Sequence, residues 1–351
     1  MTTGVILLNF GEPSEPTREE VVPYLERIFY NNRFLEGDMP EAQARERSRE
    51  LAEKRAPSLI EEYEDIGGSP LNPQAKAQVD AVVDVLTERG FDVTGYLGTQ
   101  FSEPTIADAV AAAKADGVDR LVGLPIYPLC GPSTTVDALA DLNGAVADAD
   151  WDVPVERVSG WHRHPAYTRL RADNVRAYAE REGLDLDDDD TAVLFSAHGT
   201  PTHYLEEGSR YDVYVDEFTT ALAHLLGVSE YTVGYQNHEN RDIPWTEPET
   251  EDVAVEIDAE RVVVEPVSFM HEQSETLSEL DIELREEVEE AGKELYRVPV
   301  PHDDPRFAEL LADLVEPFAA DVDPEYYQLR ECQCAAEEGA MCLNAPRAES
   351  E

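Results

Sequence analysis

The run "VLFSAHGTP" at residues 193–201 carries an imidazole, His198, where an apolar stretch gives way to a turn. Imidazole takes and releases protons near neutral pH and ligates metals, so His198 is a candidate base or ligand. A histidine in a turn also serves structure alone, but the carboxyl end of a strand is where α/β folds place chemistry. A second stretch, "PVSFMHEQSETLSELDIELREE" at 266–287, sets Glu275, Glu279 and Glu283 four residues apart. On an α-helix that spacing stacks three carboxylates on one face, where like charges repel. Two readings stand: a solvated acidic face, or a ladder for a hydrated divalent cation, whose loose oxygen ligation permits passage. Cys332, Cys334 and Cys342 gather near the C-terminus, and Cys130 is the fourth cysteine. A C-x-C followed by C-x7-C matches no standard zinc ribbon or ferredoxin run. Spacing therefore leaves a [2Fe–2S] cluster, a zinc ion and unligated thiols all open. His203 and His238 lie in loops at comparable strand ends and form no zinc spacing.

These side chains need elements to hold them. Short apolar runs predict strands near 4–10, 92–98, 120–127 and 153–159, then near 191–197, 231–236, 260–266 and 295–299. Amphipathic stretches fill the gaps; in 304–321, Phe307, Leu310, Leu311, Leu314 and Phe318 share one helical face. Four strands and then four more, with helices between, give an α/β fold of two Rossmann-like domains, each with a four-stranded parallel sheet flanked by helices. The expected divisions are 1–150, 151–303, a helix at 304–322 and a cysteine-bearing tail at 323–351. His198 then ends the first strand of the second domain, and the acidic run begins a helix after its third. The acidic "LDLDDDD" at 184–190 reads as a solvated loop.

Composition removes several function classes. The 351 residues include 76 acidic and 27 basic side chains, a formal net charge of −49, and only four lysines. Such a surface repels phosphate backbones and anionic lipid, which argues against nucleic-acid and membrane-surface partners. With 42% hydrophobic residues in periodic arrangement, disorder does not explain the charge. A folded chain this acidic suits concentrated salt, where screening suppresses self-repulsion, and the expected setting is the cytoplasm of a salt-accumulating halophile. "MTTGVILLNF" lacks the charged region of a signal peptide, and nothing approaches the ~20 apolar residues of a membrane span. The turn "NFGEPSEP" is not a G-x-G-x-x-G loop, and Gly292-Lys293 is followed by glutamate, so no nucleotide cofactor is expected.

Six motifs occur in order: "LLNFGEP" (7–13), "IGGSPL" (66–71), "LPIYPLCGPSTT" (124–135), "LFSAHGTP" (194–201), "YQNHENRDIPWTEPETED" (235–252) and "PVSFMHEQSETLSELDIE" (266–283). Together they resemble the ferrochelatase family, over about residues 4–321. The resemblance implies a lyase of haem biosynthesis that inserts ferrous iron into a porphyrin held between the two domains. Insertion expels two pyrrole protons, which calls for a base near neutral pKa. The resemblance gives His198 proton acceptance or metal contact and sets Glu275 facing it across the ring. Glu279 and Glu283 match acidic positions that guide metal in or protons out. Phe10, Ser69 and Trp245 fall at substrate-side positions. Ferrous iron is then a substrate, and protoporphyrin IX and coproporphyrin III both remain possible acceptors. A related chelatase for another tetrapyrrole, cobalt or nickel is the alternative enzyme; a non-catalytic tetrapyrrole or metal carrier is the alternative outside catalysis.

The departures are specific. The family commonly carries a histidine where this chain has Gln273, and His271 lies one helical turn before Glu275. Phe10 stands where relatives have methionine or tyrosine, and phenylalanine packs on a ring but ligates no iron. The region matching the greasy cleft lip of membrane-associated relatives, "FLEGDMPEAQARERSREL", is mostly charged. Some ferrochelatases hold a [2Fe–2S] centre on three C-terminal cysteines and one internal one, which implies a cluster on Cys130, Cys332, Cys334 and Cys342. The internal ligand of one branch falls at Pro132 here, and Cys130 lies two residues earlier. The tail is therefore expected to fold back onto the first domain.

Overall fold

A computed structural model describes residues 1–238, 241–333 and 339–344. The first sheet holds β1 (Thr3–Asn9), β2 (Val93–Thr99), β3 (Arg120–Pro125) and β4 (Val155–Arg157) in the order β2-β1-β3-β4. The second repeats the order as β6-β5-β7-β8, from β5 (Thr191–His198), β6 (Thr232–Gln236), β7 (Arg261–Pro266) and β8 (Glu294–Arg297). Every pairing in both sheets is parallel. Both faces are covered by helices, so the central strands have apolar middles: Val5, Ile6, Leu7 and Leu8 of β1 and Val262, Val263 and Val264 of β7 are all buried. All eight expected strands are present, the fourth and eighth shorter than their apolar runs.

Helix ends follow from local chemistry. Thr105 and Asp108 form a reciprocal capping box, and Gly117 closes the helix Ile106–Asp116 in the left-handed conformation. At β6, a Cβ on Gly234 would fall 2.6 Å from the Thr250 backbone, so glycine lets the helix Thr250–Glu256 lie directly on the strand.

The largest apolar cluster runs through both halves, joining Val5, Val79 and Val122 with Trp161, Phe195, Phe218 and Phe307. The C-terminal helix, Pro305–Ala319, packs on Leu71–Glu88 of the first half and Pro165–Glu182 of the second. Arg89 pairs with Asp313 and Glu316 on it, so the two sheets are held in one orientation.

Beyond Pro324–Tyr327 the chain forms a short antiparallel hairpin, β9 (Arg330–Glu331) with β10 (Met341–Cys342). Met341 bridges Val158 in parallel, and the Leu343 amide donates to Gly160 O at 2.9 Å. The tail thus returns to the chain just past β4, at the edge of the first sheet.

Candidate active site

β5 delivers His198 to the carboxyl edge of the second sheet. Its amide donates to Ser268 Oγ at 3.0 Å, its carbonyl accepts from Tyr211 OH at 2.9 Å, and its Nδ1 lies 2.6 Å from Gly199 O. The glycine that follows is dictated by space, because a Cβ there would fall 1.8 Å from Asn237 Oδ1. In the parallel register His198 pairs with Gln236, so the next turn of backbone brings His238 alongside. The two Nε2 atoms are 3.2 Å apart. One ligand atom from each of His198, His238 and Glu275 lies within 4.8 Å of the other two.

Glu275 opens a π-helix, Glu275–Glu283, where the spacing had suggested an α-helix. The i→i+5 hydrogen bonds widen the turn, and such segments gather at functional sites. Several bonds hold it in place. Gln236 Nε2 donates to Glu275 O (2.9 Å) and to Glu279 Oε2 (2.8 Å), while Arg297 ties Glu272 (2.6 Å) to Asp281. Glu275 Oε2 accepts from Gln273 Nε2 at 2.8 Å and lies 2.9 Å from Ser274 Oγ. Burial and the neighbouring Glu275 charge hold the Glu279 carboxyl well above its ordinary range; burial and then Glu62 raise Glu283. Glu283 is exposed, so the three carboxylates run from cleft to solvent. Burial, then His198, pushes the His238 imidazole down to about 4, which keeps it neutral at physiological pH.

The facing wall comes from the first half. Phe10, in the turn after β1, packs on Phe101 with ring centroids 4.5 Å apart. Tyr24, Leu25, Ile28 and Phe29 project from the helix Arg18–Asn31, and Leu59 from Glu41–Asp65. Trp245 and Ile243 close one side. The cleft between the two halves is open to solvent at its mouth and mostly apolar along its walls, as ligand sites commonly are.

Most expected site residues converge here: His198, Glu275, Glu279, Phe10 and Trp245 all line the cleft. Ser69 does not; its hydroxyl donates to the buried carboxylate of Glu12, which also accepts from Tyr63 OH (2.9 Å) and Ser274 Oγ (2.5 Å). Gln273 lies against Glu275, and His271, buried beside Asn9, is pushed down to about 3 by burial. The expected partners His198 and Glu275 present ligand atoms within 4.8 Å of each other. His238 and Glu12 carried no role in the sequence reading. The signal for His238 was there: β5 ends at His198, and His238 follows two residues after the end of the adjacent parallel strand β6.

Cys130 is buried in the loop after β3. Cys332 N donates to Ala340 O, and Cys342 pairs with Arg330, so both cysteines present to one face of the hairpin. The amides of Trp161 and His162 donate to Pro128 O, which brings the hairpin's seat at Gly160 beside the Cys130 loop. Cys334 lies outside the described residues.

Two parallel α/β sheets closing an apolar cleft over histidines and carboxylates have the architecture of chelatases. Solved structures agree in fold: SirB from Bacillus subtilis subspecies spizizenii, a sirohydrochlorin chelatase in complex with cobalt, has a TM-score of 0.52 at 11% identity, covering 93% of this chain and 98% of that one. CbiX, the terminal enzyme of sirohaem biosynthesis in denitrifying bacteria, has a TM-score of 0.50 at 17% identity, covering 73% and 95%. The Ferrochelatase family model matches residues 2–318. Curated ferrochelatases of Picosynechococcus sp. and Synechococcus elongatus are 36% and 35% identical over 321 and 331 residues, each alignment covering 89% of this chain and 81% of the relative. The chain belongs to the ferrochelatase family.

Proposed function

We propose that this chain is a ferrochelatase in which His198 and Glu275 carry the metal insertion. The enzyme takes ferrous iron and a porphyrin and releases the iron porphyrin and two protons. The observation that carries the reading is an imidazole and a carboxylate brought together in a largely apolar cleft between the two halves. Excluding water favours the flat apolar ring, and the polar groups stand where the metal must arrive. Glu275 contacts the metal first; as the ring takes the ion, the freed His198 Nε2 accepts one pyrrole proton and the freed Glu275 carboxylate the other. Glu279 and Glu283 continue the carboxylate path to solvent, their proton affinities raised by burial first and then by neighbouring carboxylates, Glu275 for Glu279 and Glu62 for Glu283. Phe10 and Trp245 pack on the ring.

Three variants test the assignment. His198→Ala is expected to fold and to lose at least about a hundredfold in turnover, the scale of lost acid–base help. Glu275→Gln, which keeps shape and loses charge, is severely impaired, and Glu279→Gln is milder. Near-wild-type turnover of His198→Ala would remove His198 from the mechanism. Equal activity in the carboxylate variants would leave only a solvated acidic face. A carrier or a chelatase for another tetrapyrrole separates by product, since only insertion converts the porphyrin spectrum to that of its iron complex.

The cysteines are read as ligands of a [2Fe–2S] cluster that braces the tail and takes no part in insertion. Cys332 and Cys342 share a hairpin face docked beside the Cys130 loop, a soft thiolate set that suits iron–sulfur chemistry. Anaerobically purified protein should be reddish-brown with about two irons and two acid-labile sulfides per chain. Colourless, iron-free protein, or an unchanged spectrum in Cys130→Ser, would contradict this.

A further inference from the structure

We propose that His238 is a ligand to the incoming ferrous ion, so that His198, His238 and Glu275 form a three-point dock holding the metal on one side of the porphyrin before insertion. The inference rests on the iron-insertion reading above. It adds the third ligand and an order of events: metal docks first and is handed to the ring.

The protons of the two imidazoles decide what their nitrogens can do. His198 Nδ1 lies 2.6 Å from Gly199 O, and a carbonyl only accepts, so Nδ1 carries the hydrogen and Nε2 keeps its lone pair. That lone pair accepts a hydrogen bond from His238 Nε2, 3.2 Å away. The other nitrogen of His238, Nδ1, lies 4.0 Å from Glu279 Oε1 and can take the hydrogen when a cation displaces it from Nε2. With both Nδ1 atoms protonated in the metal-loaded site, two lone pairs converge on one ion. A tetrahedral ion with metal–nitrogen bonds of ~2.1 Å holds two imidazole nitrogens ~3.4 Å apart, so accepting the metal needs a shift of only a few tenths of an ångström.

The third donor is anionic, and two histidines with one carboxylate and open positions are a donor set that suits ferrous iron. Two of the ligands are held by another group: Gly199 O behind His198 and Gln273 on Glu275 Oε2. Such supports fix tautomer and orientation. They leave Glu275 Oε1 for the ion. The His238 ring stands perpendicular to Trp245, centroids 5.8 Å apart, which limits its rotation away from the site. Three protein ligands leave a position that a pyrrole nitrogen can enter, and transfer proceeds as ring nitrogens replace protein ligands one by one.

The test uses Co2+ as the probe for the metal and the full chain without porphyrin, in molar KCl, followed by the visible ligand-field bands. Wild-type protein is expected to bind one Co2+ per chain. His238→Ala should weaken binding at least about tenfold, the scale seen when a metal's protein support is cut. It should raise the KM for ferrous iron in parallel, with porphyrin affinity, read by fluorescence quenching, unchanged. His238→Gln serves the same comparison if the alanine variant does not fold. Unchanged Co2+ affinity and ligand-field bands in a folded His238 variant would overturn the dock, even if turnover fell. His198→Ala separates the two readings. Loss of insertion there with intact metal affinity in the His238 variant removes the dock and leaves the base in place.

Discussion

Glu12 follows Gly11 in the turn after β1, and its carboxylate is sealed from solvent among Tyr63, Ser69 and Ser274. Burial, reinforced by the charge of Glu275, raises it from the ordinary 4.5 to about 7. A folded-state pKa above the unfolded value means that stability from this group is fully present below pH 4.5 and is lost as pH rises through about 7. The displacement corresponds to roughly 3 kcal/mol at most. Glu12→Gln should therefore change the slope of stability against pH, gaining on wild type between pH 5 and 8 in thermal melts at fixed salt. Parallel profiles would show that Glu12 is not the residue responsible. At this scale the sequence was legible where a side chain ended a recognisable run, as His198 does after "VLFSA". It was not legible where partnership is made by register: His238 gains its neighbour only because β5 and β6 pair, and Ser69 gains Glu12 only when the chain is folded.

The elements were mostly readable, because a strand buried on both faces is an unbroken apolar run, and β1, β3, β5 and β7 are such runs. The π-helix was not, since acidic residues at every fourth position suit an α-helix as well. What fixes that region is tertiary. Arg171, wholly buried, pairs with Glu265 at 2.6 Å and donates to Pro266 O and Phe269 O, both at 2.8 Å. It thereby shapes the loop that carries Ser268, the partner of the His198 amide. Removing one member of a buried pair leaves an uncompensated charge, at a cost of about 3–5 kcal/mol. Arg171→Met should lower stability by that order in urea unfolding, and adding Glu265→Gln should restore much of it. A single variant as stable as wild type would show that the pair does not hold this loop.

Over the whole molecule, one strand order used twice puts two sets of strand ends at a single cleft, and the C-terminal helix holds the halves together. No described helix is long and apolar enough to cross a membrane. The net charge of −49 acts at this scale. At 1 M salt the screening length falls to ~3 Å, against ~30 Å at 0.01 M, so melting temperature and activity should both rise steeply with KCl. A melting temperature unchanged in dilute buffer would contradict the expected dependence on salt. The central claim, that this cleft puts ferrous iron into a porphyrin, is tested most directly by an anaerobic assay in molar KCl, offering ferrous iron with protoporphyrin IX and with coproporphyrin III. The account predicts enzyme-dependent replacement of the free-base absorption bands by those of the iron porphyrin with at least one of them. Binding of both porphyrins with no spectral conversion, under conditions where the protein is folded, would contradict it.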